Sequence, residues 1–206
     1  MAKTYLLIAG IFCLLCLACS SRHRLLGKRD LEKYISDPAH GLIQKTTVEE
    51  ADVSVDFEPS SMLAANEFTA GSRRDSVTLH GLQAKYSPNY YFLVKFSKNH
   101  KELIRQLPSF SDYSEMVQVL SFRMQQYINL TTDRDTLQMS DYTYEQTYGM
   151  GNANMLLIAF PKKGVTGVDR FDVNLAECGF GLGSLKFSFR KSDLDKVPEL
   201  DYTKLY

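Results

Sequence analysis

The 206-residue sequence contains no tryptophan, only six prolines, and four residues each of histidine and cysteine. Without tryptophan the chain lacks the broadest stacking surface for a sugar ring, which weakens any reading as a carbohydrate platform. His23, His40, His80 and His100 are scattered singly, with no pair at metal-ligand spacing, so a zinc site is unsupported. Cys13, Cys16 and Cys19 crowd the first 19 residues, and a body without them keeps only Cys178 and can form no internal disulfide. There is no apolar run of the roughly 20 residues that a membrane-spanning helix requires, no internal repeat and no low-complexity tract.

A basic surplus is also missing. Lysines plus arginines and aspartates plus glutamates number 24 each, but every acid lies from Asp30 onward, whereas Lys3, Arg22, Arg24, Lys28 and Arg29 precede it. The body is therefore net acidic and repels phosphate backbones, which argues against nucleic acid as a partner.

The N-terminus carries the most specific pattern. Lys3 supplies a positive start, and Tyr5 to Ala18 form an apolar run of the length of an export-signal core. The run ends Cys16-Leu17-Ala18-Cys19-Ser20-Ser21, which resembles the lipobox of bacterial lipoproteins, with Cys16 at a position where that family usually has leucine. The resemblance implies that residues 1–18 are a signal peptide removed on the amino side of Cys19. It also implies that the Cys19 thiol receives a diacylglyceryl group, and that its new amino terminus is often acylated as well, commonly with palmitate. Two or more acyl chains hold a protein stably at a membrane. The expected location is the cell envelope, at the outer membrane facing the periplasm. Residues 19–29 are polar and basic and read as a flexible tether whose cations lie against anionic headgroups.

Residues 30–206 have the composition of one globular domain. Asp30 to Tyr34 predict a short helix stopped by Asp37-Pro38. Val53, Val55 and Phe57 alternate with Ser54, Asp56 and Glu58, the mark of a half-buried strand, and Val77 to Ala84 suggest another despite Gly81. Between them, Glu58 to Asp75 reads as a loop with a helical turn. Tyr90 to Phe96 and Met155 to Phe160 are near-continuous apolar runs suited to central strands. Asp112 and Glu115 form a capping box ahead of Tyr113, Met116, Val117, Leu120, Met124, Tyr127 and Ile128, predicting one long helix to about Asn129. Four strand-like runs follow, at 138–148, 155–160, 170–176 and 184–190, with an extended acidic tail after Lys191. The expected class is α+β: an antiparallel sheet of about six strands with a C-terminal meander and one long helix packed on a face. The alternative is a β-sandwich with an inserted helix.

Motifs that carry chemistry are sparse. Gly179-Phe180-Gly181-Leu182-Gly183 invites an anion-cradle reading, but it lacks the P-loop lysine, so close approach of a helix or bent strand explains the glycines better. Cys178 follows an apolar strand with no thiol-hydrolase signature and reads as a small buried hydrophobe. Asp133-Arg134-Asp135 has a fragment of calcium-loop spacing without its glycine or its later glutamate. Tyr142, Tyr144 and Tyr148 fall on one face of a strand in the expected register, a possible surface for an envelope protein or glycan, or else a row facing the core. No catalytic residue, metal ligand or cofactor motif emerges. The expectation is a non-catalytic binding or structural protein; the alternative is an envelope hydrolase whose site is assembled from residues distant in sequence.

Overall fold

The computed structural model describes residues 25–71 and 73–205, so the leader, Cys19 and the first part of the tether lie outside the described residues. In chain order the elements are β1 (Leu25–Leu26), α1 (Lys28–Ser36), β2 (Ile43–Val48), β3 (Ala51–Glu58), α2 (Ser60–Ala70) and α3 (Ser76–Tyr86). Then come β4 (Asn89–Lys98), β5 (Lys101–Glu102), α4 (Phe110–Phe122), β6 (Ile128–Thr131), β7 (Thr136–Gln138) and β8 (Asp141–Glu145). The chain closes with β9 (Asn154–Pro161), β10 (Arg170–Leu175), β11 (Leu185–Arg190), α5 (Lys191–Asp195) and β12 (Glu199–Leu200).

The α+β class holds, but the strands make two larger sheets instead of one. The first runs β2-β3-β4-β9-β8 with β5 also on β4; the second runs β11-β10-β6-β7; a third, two-stranded ladder pairs β1 with β12 in parallel. The two larger sheets pack face to face over aromatic rings, Phe92 against Phe189 at 5.1 Å between centroids and Tyr90 against Phe171 at 4.9 Å, and Phe180 of the β10–β11 loop closes on Phe96 at 5.3 Å. Aromatic pairs at these separations favour the tilted and edge-on arrangements seen here. The sandwich alternative is thus the closer description of the core, with helices added to it.

The expected meander fails at one loop. β8 and β9 form a hairpin, and so do β10 and β11, but the hairpins belong to different sheets. The chain between β9 and β10 turns at Gly164 (φ +86°) and Gly167 (φ +64°), left-handed positions that glycine adopts without steric cost. That excursion carries the chain across the core, where β10 takes the place between β6 and β11.

Three local expectations are corrected for identifiable reasons. Val77 to Ala84 is helical, because the Asp75 side chain accepts the Thr78 N–H at 2.7 Å and caps α3. No heavy atom lies within 4 Å of a Cβ placed on Gly81, so its cost there is one of propensity alone. The Glu58 to Asp75 stretch likewise holds a full helix, α2, pinned to α3 by a 2.6 Å ion pair between Glu67 and Lys85. The long helix starts from Ser109, whose Oγ accepts the Asp112 N–H at 3.1 Å, and stops at Phe122. Beyond it Met124 and Ile128 stay buried in a short 3₁₀ turn and in β6, so the same apolar residues satisfy the core through a different backbone.

The basic tether also ends sooner than expected. Leu25 and Leu26 pair with Glu199 and Leu200, and Lys28 and Arg29 open α1, whose Leu31 and Ile35 are buried. An amphipathic face bounded by Asp37-Pro38 gives these residues a reason to fold that their charge alone does not reveal.

Candidate functional site

The tyrosines proposed as one surface are divided. Tyr142 and Tyr144 lie on β8, half-buried against the core. The Tyr142 hydroxyl accepts the Met124 N–H at 3.3 Å, and the Asn154 amide donates to the Tyr144 hydroxyl at 3.1 Å. Burial, against the opposing Asn154 hydrogen bond, pushes the Tyr144 phenol up to about 12. Tyr148 stands past the end of the strand, exposed, at φ 53° in a loop. That loop is held by the buried Glu102 carboxylate, which accepts from the Thr147 hydroxyl and, at 3.0 Å, from the Gly149 N–H. Strand periodicity stops at Glu145, so the third tyrosine has no common face with the other two.

Cys178 is buried, and its thiol is pushed up to about 12, first by burial and then by the charge of Glu177. Among the described residues no histidine borders the cleft beside it, and a thiol raised this far holds little thiolate at neutral pH. The glycine segment does cradle an anion, and that anion belongs to the chain. The Glu177 carboxylate accepts the N–H groups of Gly179 at 2.6 Å, Gly181 at 2.9 Å and Gly183 at 2.6 Å. Burial raises the Glu177 carboxyl, but the amides of the glycine loop outweigh it and the net shift is downward. Close approach is present as well: a Cβ on Gly179 would meet the Met116 sulfur of α4 at 2.6 Å. Asp133-Arg134-Asp135 forms a turn in which the Thr132 hydroxyl accepts the Arg134 and Asp135 N–H groups.

The residues that come together are others. A cleft of 640 Å³ opens where the segment after α5 crosses the ends of β3, β4 and β9. Its floor is Phe57 and Tyr90, one wall is the first turn of α2, and the opposite wall runs from Leu194 to Tyr202. The Tyr202 hydroxyl reaches the Ser61 carbonyl at 3.4 Å and ties the two walls. Lys162, at the start of the β9–β10 loop, is fixed by its N–H to the Pro88 carbonyl at 2.9 Å and lays its ammonium 5.3 Å from the centre of the Tyr90 ring. Lys191 stands 5.9 Å from the same ring centre.

Two titratable groups at this cleft are displaced toward neutrality. Burial pushes the Glu58 carboxyl up to about 7, with the charges of Asp56 and Glu32 adding and that of Lys95 opposing. Burial also lowers the Lys162 ammonium, and Lys191 adds to it. Perturbed groups gathered in a concave site mark it as a candidate for function. Behind Glu58, Asp56 pairs with Lys95 at 2.5 Å through Oδ2, while its buried Oδ1 has no partner among the described residues.

Sequence reasoning missed Lys162 and Tyr202, which are far apart in the chain and carry no motif. Glu58 was read as the solvent-facing end of a strand, yet Ser54 and Asp56, its neighbours on that face, are buried. Among the described residues no group of three or more His, Cys, Asp or Glu side chains is placed to hold a metal ion, and no helix is long and apolar enough to cross a membrane.

Comparison with known proteins finds no matching family model, no matching curated protein and no matching solved structure.

Proposed function

We propose that this chain is a lipoprotein of the bacterial cell envelope, anchored through Cys19 at the outer membrane and facing the periplasm, with a non-catalytic binding role. The observation that carries the anchor is the apolar leader ending Leu17-Ala18-Cys19. The binding role rests on the cleft between the α2 first turn and the C-terminal segment, where an aromatic floor, hydrogen-bonding side chains and an unpaired lysine converge. A second reading, an envelope hydrolase, draws on Glu58, since a carboxyl near 7 suits proton transfer at neutral pH.

Cys19→Ser tests the anchor. The expected result is loss of lipid labelling, with the protein moving to the soluble fraction or remaining uncleaved. Membrane retention with labelled lipid still attached would sink the assignment. The two readings separate on Glu58→Gln: a hydrolase loses turnover of ester, peptide or glycan substrates, whereas a binding protein has no turnover to lose.

A further inference from the structure

The cleft contains a cation that none of the described residues neutralises. Among the described residues the Lys162 ammonium makes no hydrogen bond and no ion pair; it meets the Tyr90 ring, with Lys191 over the same ring. The acids bordering the cleft are otherwise engaged. Asp195 pairs with Lys191, Glu199 has a partner of its own, and Glu58 is held toward its protonated form. Lys162 is half-buried, so its charge is partly stripped of water without a counter-charge in return.

A second source of positive potential faces the same space. Pro59, Ser60 and Ser61 border the cleft, and no side chain caps the 11-residue helix α2 that they begin. Its first-turn N–H groups carry the positive end of the helix dipole. Register places the two features near each other. Glu58 pairs with Tyr91 and Asn89 with Pro161, so the start of α2 and Lys162 flank the end of β4 from either side. Two strand spacings, about 10 Å, separate their backbones, a gap that a lysine side chain and one small group fill.

Resting on the reading of this cleft as the ligand site, we propose that it takes a small molecule presenting a carboxylate or phosphate, with the anionic group seated between the Lys162 ammonium and the first turn of α2. A cationic or neutral ligand would leave Lys162 partly desolvated and without a counter-charge. The Tyr90 ring and the apolar residues of the floor then accept the body of the ligand.

The test is a ¹H–¹⁵N titration of the mature, detergent-solubilised protein with sodium phosphate and sodium acetate, against sodium chloride at matched ionic strength. Neutral N-acetylglucosamine forms a further arm, and phosphatidylglycerol vesicles, added after detergent removal and compared with phosphatidylcholine vesicles that hold the acyl anchor equally, form another. The expected result is a saturable shift of the Ser60, Ser61 and Lys162 amides with phosphate or acetate. Affinity should fall about tenfold in Lys162→Met, the size of one lost charge-assisted hydrogen bond, and be largely kept in Lys162→Arg. Shifts that appear with the phosphatidylglycerol vesicles, and with neither phosphatidylcholine nor free phosphate, support the same chemistry, delivered by a lipid headgroup. If N-acetylglucosamine moves the cleft resonances and the anions do not, the anion inference falls and the cleft remains a ligand site. If none of the probes moves them through the millimolar range, the cleft reading falls as well.

Discussion

The carboxylate of Glu177 lies 2.6 Å from the amide nitrogen of Gly183, six residues further along the chain, and the loop between them is wound around that one side chain. Gly179, Gly181 and Gly183 all take positive φ, so their N–H groups converge on a point that a run of bulkier residues would not reach without strain. The net downward shift of the Glu177 carboxyl fixes the sign of the effect. The interaction stabilises the fold above the ordinary value of 4.5 and is lost as pH falls through the lower folded-state value.

Glu177→Ala removes the acceptor of three amides. The site is exposed, so water replaces much of what is lost, and the expected cost is about 1 kcal/mol. The more telling readout is the adjacent thiol. Cys178 in the wild-type protein should resist alkylation at neutral pH until urea unfolds it, whereas in the variant labelling should quicken in native buffer. Equal native labelling rates would mean that the contact between Gly179 and Met116 shapes the loop without help from Glu177.

Glu58→Gln should flatten the pH dependence of stability. The native state holds the Glu58 proton up to about 7, and the ordinary glutamate value is 4.5, so between those values the folded protein binds more protons than the unfolded chain. Wild-type stability therefore declines as pH rises through this window, and the glutamine variant does not share the loss. At pH 8 the variant should be the more stable by up to about 3 kcal/mol. Urea midpoints from pH 5 to pH 8 measure this, and parallel curves for the two proteins would refute it.

Leu120→Ala and Phe122→Ala separate packing from mere hydrophobicity. Leu120 on α4 is fully buried, while Phe122, two residues on, is 79% exposed. Truncating the leucine should cost roughly 2 to 5 kcal/mol by leaving a cavity, and truncating the larger phenylalanine no more than about 0.5 kcal/mol. Equal losses in urea titration would place Phe122 inside an interface that the monomer does not display.

What was legible in the sequence depended on whether a signal was local. The runs around Tyr90 and Met155 announced central strands because burial on both faces leaves an unbroken apolar string, and β4 and β9 are neighbours in the larger sheet. The strand-like runs at 170–176 and 184–190 correspond to β10 and β11. The segment at Val77 failed because its branched and apolar residues speak for a strand, while Asp75 three residues ahead of Thr78 speaks more strongly for a helix. The division of strands between two sheets was out of reach, since hairpin partners are set by nearby turns but the sheet a hairpin joins is set by its far neighbours.

The site was hidden for a related reason. Glu58, Tyr90, Lys162 and Tyr202 sit at the ends of separate elements, and none has a local pattern that distinguishes it from an ordinary surface residue. Glu177 was the near miss: the glycines showed a place for an anion, and the acid two residues before Gly179 was the occupant.

The pairing of Leu25 and Leu26 with Glu199 and Leu200 gives the molecule a mechanical character. From Cys19 to Leu25 there are six residue steps, so a lipid anchor at Cys19 would hold the folded body on a leash of no more than about 20 Å. Any tug on that leash enters the body at β1, whose ladder with β12 is two residues long, and β12 is also part of the wall of the Lys162 cleft. A pull applied there would be borne first by the smallest sheet among the described residues. If that ladder parted, the cleft would lose Glu199 and Leu200 from its wall, and neither residue belongs to the two larger sheets.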